Sequence, residues 1–420
     1  MKVLNTVDLF CGAGGASTGM EEALARRKLK HKGLAINHWQ VAVETMKRNH
    51  SDIDTKCMSM EAAVPADMVP GGVVDLLWAS PTCTHFSRAL GGKPRSNQLR
   101  AQPELVLTWL DQLFVRQLIV ENVPEFVEWG PLSKEGKPIK RLKGSNFKAW
   151  VESLKARNYD VDWRIVNCAD YGDATSRKRF FLKAVRKGCG EIRWPEPTFS
   201  NNPTGGQKKW RGVKECLDLS DTGKSIFNRK KPLSKNTLRR IMVGLRKFNG
   251  LDFQLDMLGS SNGKEDHTRV RQLELPLPTQ HAGGNRTAIV RPFIVKLNNH
   301  ADVEDMEKPL TTVTTSGAHH ALCSPLIIGQ QSCAAARSAD QPCPTIATAG
   351  AIQGVFPVLE DGRLLDIRIR MLKPSELAAA HSFPKDYVLT GNRGEQVKQI
   401  GNSVPVMTAA AMCESSLENI

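Results

Sequence analysis

The stretch from Lys2 to Phe10 is an apolar run rich in β-branched residues that ends in CGAGG, and a helical pattern follows from Ser17 to Arg27. Strand, glycine turn and helix in immediate succession constrain the fold strongly. Glycine bends without a Cβ clash and lets backbone approach a ligand closely, while the first turn of the next helix presents unpaired N–H groups. The alternation continues through VVDLLWAS, LVLTWLDQLF, QLIVENV, FKAWVESLKARN and VDWRIVN. Strands and helices in that order predict an α/β fold with a doubly wound, mostly parallel sheet and its ligands at the carboxyl ends of the strands.

At 420 residues the chain exceeds a usual single domain, so two cores are expected. The periodic pattern breaks at Pro195 into PEPTFSNNPTGGQKKW, a linker-like run. We expect an α/β domain over residues 1–190, a smaller β-rich domain over 191–365, and a return to the first domain over 366–420. Lys and Arg outnumber Asp and Glu by 58 to 43, for a net charge of +15, which suits a polyanionic partner held through its phosphates. The ten cysteines form no CxxC pair, which points away from a zinc site and a disulfide framework and toward a reducing cytoplasm. No run approaches the roughly 20 apolar residues that cross a bilayer.

Six segments then occur in one order: DLFCGAGG (Asp8 to Gly15), SPTCTHFS (Ser80 to Ser87), ENV (Glu121 to Val123), SRKR (Ser176 to Arg179), MLKPSELAAAHSFP (Met371 to Pro384) and IGNSVP (Ile400 to Pro405). Together they resemble a cytosine-5 DNA methyltransferase, over roughly residues 3–187 and 366–410. The resemblance implies the S-adenosylmethionine-dependent methyltransferase fold, with residues 1–190 and 366–420 as the catalytic and cofactor domain and 191–365 as the target-recognition domain, S-adenosyl-L-methionine as cofactor and double-stranded DNA as partner; we also expect no metal, and a monomer. It assigns Cys83 as the nucleophile that adds to C6 of a flipped-out cytosine. Glu121 is assigned to the N3 side of the base, and Arg177 and Arg179 to the base carbonyl and neighbouring phosphates. Two residues apart on an extended segment, these arginines face one side. Phe10, Gly12, Gly14, Gly15, Trp39, Asn402 and Ser403 are assigned to the cofactor.

The chain also departs from the pattern. His38 stands where the family usually writes Glu for the ribose, Thr82 where it writes a second proline, and Thr175 where it writes Gln. The third cofactor motif has no match in TKCMSMEAAV. The polar, cationic stretch SRALGGKPRSNQLRAQ after the nucleophile suits a mobile loop that closes over DNA.

LPLPTQHAGG, KPLTTVTTSG and QPCPTIATAG repeat with a period of 33 residues, carried by Pro276, Pro309 and Pro342, by Thr279, Thr312 and Thr345, and by Gly284, Gly317 and Gly350. Their Thr and Val content argues stacked β-hairpins rather than helical repeats. His281, Asn285, Arg286, His319 and His320 are candidate base-reading tips. Two rivals to a DNA methyltransferase stay open: a tRNA cytosine-5 methyltransferase, and a catalytically silent DNA-binding protein on the same fold. A restriction partner, phage DNA protection and an orphan role are equally compatible with the sequence.

Overall fold

The computed structural model describes residues 3–81, 102–133, 138–227, 229–234, 237–238, 241, 244–245, 253–256, 269–280, 287–296, 302–305, 324–329, 337–338, 353–358 and 365–418. The chain forms two compact units, Met1–Leu217 with Glu274–Asn285 and Lys373–Ile420, and Asp218–Leu273 with Arg286–Leu372.

The first unit is built on seven strands: β1 (Val3–Leu9), β2 (Lys30–Asn37), β3 (Ile53–Cys57), β4 (Val73–Ala79), β5 (Phe114–Asn122), β6 (Tyr159–Asn167) and β7 (Lys178–Arg186). They lie in the order β3-β2-β1-β4-β5-β7-β6. All pairs from β3 to β5 are parallel, whereas β7 runs antiparallel to both of its neighbours. The strand order reverses between β1 and β4, and the carboxyl ends of these two strands form the topological switch point where open α/β sheets bind ligands.

β4 is buried on both faces, as a central parallel strand must be. Leu77 and Ala79 pack with Val7, Val120, Trp109, Phe126 and Trp150 on one side. Leu76 and Trp78 pack with Leu4, Ile119, Phe181 and Met20 on the other. Helices α1 (Gly15–Arg26), α2 (Gln40–Asn49), α3 (Pro65–Met68), α4 (Gln102–Gln112) and α5 (Ser145–Ala156) follow their strands. The returning segment adds α6 (Pro374–Ala380), α7 (Arg393–Asn402) and α8 (Val406–Leu417). α8 lies tightly on α1: a Cβ on Gly19 would come within 2.6 Å of the Ala409 Cβ and 2.7 Å of the Val406 carbonyl.

The second unit is β-rich, as expected. An antiparallel sheet joins Lys224–Ser225, Leu365–Met371, Thr287–Lys296, Phe253–Asp256 and Val270–Gln272 in that order, with Asp302–Asp305 pairing Thr287–Lys296. Its core holds Phe253, Leu255, Val270, Ala288, Val290, Ile367 and Ile369. Arg337–Ser338, Ser324–Gly329 and Gln353–Val358 form a further three-stranded sheet.

The break between units falls after Leu217 rather than after residue 190. The intervening stretch is anchored to the first unit by its tryptophans and an arginine. Trp194 donates to Asp162 Oδ2 at 2.8 Å, Trp210 to Asp170 Oδ1 at 2.9 Å, and Arg211 to the Gly172 carbonyl at 3.2 Å. The first repeat copy, near Pro276, also lies in the first unit. Of its residues only 275–280 are described, and there Leu277 makes an isolated parallel bridge to Thr175. The second and third copies, with Pro309 and Pro342, lie outside the described residues.

Candidate active site

β4 and β5 end side by side. Ser80 N–H donates to the Leu9 carbonyl and the Trp78 indole to Ser80 Oγ, which holds the exit of β4 against β1. Asn122 Nδ2 donates to the Pro81 carbonyl at 3.0 Å, while its Oδ1 accepts from Val123 N–H at 2.9 Å. The middle residue of ENV therefore fixes the carbonyl two residues ahead of Cys83. Cys83 itself, Thr82 and the loop to residue 101 lie outside the described residues, as do His281, Asn285, Arg286, His319 and His320.

Glu121, next to last in β5, is 6 % exposed. Arg179 at the start of β7 places Nε 3.0 Å from Glu121 Oε1, with both side chains under a tenth exposed. Burial raises the Glu121 carboxyl above its usual range, opposed by the charges of Arg179 and then Arg177. A buried carboxyl that keeps its proton more readily than usual can deliver one to a bound base.

The two arginines have different partners. Arg177, 2 % exposed, donates from Nη1 to the carbonyls of Gln280 at 3.0 Å and Gly401 at 2.9 Å. It ties three distant stretches of the first unit together around the Glu121–Arg179 pair. Thr175, at the position of the family's Gln, is buried and donates to the Leu277 carbonyl, which also accepts from Ser176 N–H at 2.8 Å. That departure thus has a structural partner in the repeat copy.

The residues assigned to the cofactor lie in the turn after β1, after β2 and at the end of α7. Phe10 has φ 62, a left-handed conformation that costs about 1–3 kcal/mol in a bulky residue and concentrates at functional sites. Gly12, at φ 54, meets nothing nearer than the Phe10 carbonyl at 4.0 Å, so its missing side chain leaves open space. Gly14 and Gly15 are constrained from within the protein instead. A Cβ on Gly15 would overlap Ser403 Oγ and the Val404 carbonyl. Ser403 is buried and donates to that same carbonyl, so it walls the turn, whereas Asn402 is exposed at the end of α7. Trp39 begins α2 with its N–H on Asn37 Oδ1, and Lys398 Nζ of α7 sits 4.3 Å from its ring centroid. His38 is exposed beside it.

Gly15→Ala is expected to cost about 3 kcal/mol, because the overlapping Val404 carbonyl is backbone and cannot swing away. Urea unfolding of the variant would check this, and a midpoint matching wild type would contradict the packing.

Several site residues lie in or just past recognised motifs that gave them no role. Asn122 is one, and Tyr387, three residues past Pro384, is another. His381, fully buried at the end of α6, is a third: both its ring nitrogens lack hydrogen-bond partners among the described residues, and burial, then Arg177 and Arg179, hold it well below the usual imidazole range. Their signal was position in or beside a motif, with no residue-type chemistry to mark them. Among the described residues no helix is long and apolar enough to cross a membrane.

Comparison with known proteins gives a consistent picture. A family profile described as C-5 cytosine-specific DNA methylase matches residues 4–418. The rice DNA (cytosine-5)-methyltransferase 1B is 28% identical over 230 residues, covering 46% of this chain and 14% of that protein. The type II methyltransferase M.Sau3AI of Staphylococcus aureus is 25% identical over 201 residues, 43% of each chain. The chain thus spans less than half the length of these relatives. A mutant of DNMT2 from Spodoptera frugiperda superposes with a TM-score of 0.53 at 14% identity, and the S. pombe Dnmt2 methyltransferase with 0.51 at 13%, each over 99% of both chains.

Proposed function

The chain belongs to the C-5 cytosine-specific DNA methylase family, and on that premise we propose that it methylates C5 of cytosine in double-stranded DNA. The observation that carries the reading is the buried Glu121–Arg179 pair at the end of β5, beside the Asn122 side chain that fixes the carbonyl leading to Cys83.

C5 of cytosine is a poor nucleophile within the aromatic ring. Addition of the Cys83 thiolate to C6 breaks the aromaticity, with Glu121 protonating N3 as the electron pair moves. C5 then carries the nucleophilic density and takes the methyl group; loss of the C5 proton to a base, expulsion of the thiolate and return of the N3 proton to Glu121 restore the ring. Arg179 holds Glu121 in place and offsets its charge once the proton has moved. The target base must leave the duplex, at a few kcal/mol, before these groups reach it. The net charge of +15 supports phosphate contacts in that state.

The family and fold are S-adenosylmethionine-dependent. The open space before Gly12, the left-handed Phe10 and the half-buried Trp39 fit that group: the backbone at Gly12 would lie against its amino-acid end, Trp39 against its adenine, and Asn402 at the rim. When bound, it supplies an electrophilic methyl group on a sulfonium sulfur.

Bisulfite sequencing of plasmid from cells expressing wild type and Cys83→Ala tests the proposal. Wild type is expected to leave methylated cytosines in one short context, and the variant none. No methylation by the folded wild-type protein on DNA, with tRNA assayed in parallel, would overturn the DNA reading.

A further inference from the structure

Behind the glycine turn, away from Gly12, three elements of the first unit converge on a part-buried polar chain. Tyr387 Oη donates to the Ala13 carbonyl at 2.5 Å and lies 3.0 Å from His50 Nε2. His50 Nδ1 lies 2.7 Å from Glu21 Oε2 on α1. Thr18 Oγ1 donates to the Gly14 carbonyl at 2.7 Å and stands 3.3 Å from the same Nε2.

The direction of these bonds is fixed by what each atom can do. A carbonyl only accepts, so the single Tyr387 proton goes to Ala13 and the hydroxyl turns its lone pairs toward His50. Burial would raise the Glu21 carboxyl, but hydrogen bonds from His31 and His50 outweigh it and hold the group down at about 2, so it also accepts. Both His50 ring nitrogens therefore face acceptors. Meanwhile Gly14 N–H donates to the Cys11 carbonyl at 3.0 Å, so the Ala13–Gly14 peptide is gripped at its oxygen by Tyr387 and at its nitrogen by the turn itself. The glycine at 14 is what admits this chain: a Cβ there would come within 2.5 Å of Tyr387 Oη and 2.9 Å of His50 Nε2.

We propose that Tyr387 and His50 are positioning residues for cofactor binding, which set the orientation of the Ala13–Gly14 peptide and with it the face that the turn presents at Gly12. The proposal rests on the S-adenosylmethionine reading of the site. It makes a residue from the returning segment, some 370 positions away, a determinant of cofactor affinity.

Tyr387→Phe removes one oxygen and keeps the ring packed on Phe383, at 4.6 Å between centroids. We expect its KM for S-adenosylmethionine and its Kd for S-adenosylhomocysteine, the latter by calorimetry, to rise about fivefold or more, on the scale of one lost hydrogen bond. Its kcat at saturating cofactor and its KM for DNA should stay within twofold of wild type. His50→Ala should behave alike, and the double variant should be little worse than either single one, because the two side chains act as a unit. Unchanged cofactor affinity in Tyr387→Phe, whether or not its melting temperature falls, would reduce the chain to scaffolding and overturn the proposal. Failure of the folded wild type to bind S-adenosylhomocysteine would instead remove the cofactor reading, and the proposal with it.

Discussion

Glu121→Gln is expected to lower the rate of methyl transfer by about 10²–10⁴-fold, the usual worth of a positioned general acid, while leaving cofactor affinity nearly unchanged. The amide has the size of the carboxyl, and its oxygen can still accept from Arg179 Nε, so the buried guanidinium keeps a partner. What it lacks is a proton to move onto the base. The pH profile makes the test sharper. Burial raises the Glu121 carboxyl above the usual range, with Arg179 and Arg177 pulling the other way, so the wild type retains the acid form to higher pH than a surface glutamate would. As pH rises through that raised value the wild-type rate should fall, and the residual rate of the variant should show no such limb. Single-turnover methylation of a DNA duplex across pH 5 to 9 would measure both effects. A variant within threefold of wild type at neutral pH would rule out Glu121 as the acid.

The sheet was legible because its central strands carry short apolar runs, Leu76–Ala79 and Leu118–Val120, rich in large or β-branched residues. Val73–Ala79 and Phe114–Asn122 have to be buried on both faces, and few other folds bury such runs next to glycine turns. Helix α7 was missed for the opposite reason: apart from Gly401, only Val397, Gln399 and Ile400 of its ten residues are buried, too weak an apolar stripe to show a period. The stretch from 195 to 210 reads as a linker by its Pro, Gly and Asn content, yet two indole N–H bonds tie Trp194 and Trp210 to the first unit. Local composition cannot reveal such distant partners. The repeat near Pro276 illustrates the same limit, since a shared pattern says nothing about which backbone each copy meets. At the site, Glu121 and Arg179 were identified by motif order and do pair. The particular work of Arg177 was hidden because its acceptors are the carbonyls of Gln280 and Gly401, groups that any residue supplies.

Asp173→Ala is expected to cost about 3 kcal/mol of folding stability. Helix α8 opens after Pro405, whose side chain offers no acceptor to the first-turn N–H groups. Asp173, fully buried and more than 230 residues earlier, supplies it: Oδ2 accepts from Thr408 N–H at 3.0 Å and from Thr408 Oγ1 at 2.6 Å, and Oδ1 from Met407 N–H at 3.3 Å. Losing a cap of this kind costs about 1–2 kcal/mol, and leaving a buried hydroxyl without its acceptor adds a similar amount. A pH dependence follows. Burial, opposed by those hydrogen bonds, pushes the carboxyl up to about 6 from 3.8. Between about pH 4 and 6 the native state therefore holds a proton that the unfolded state has released, so the contribution of this group falls as pH rises through that window and is flat above it. The advantage of wild type over Asp173→Asn should be largest near pH 4 and shrink by up to about 3 kcal/mol by pH 7, since each pH unit crossed within the window removes about 1.4 kcal/mol. Urea unfolding of wild type, Asp173→Asn and Asp173→Ala at pH 4.5 and 7 would read both quantities. An Ala variant within 1 kcal/mol of wild type at both values would show that α8 docks without its distant cap.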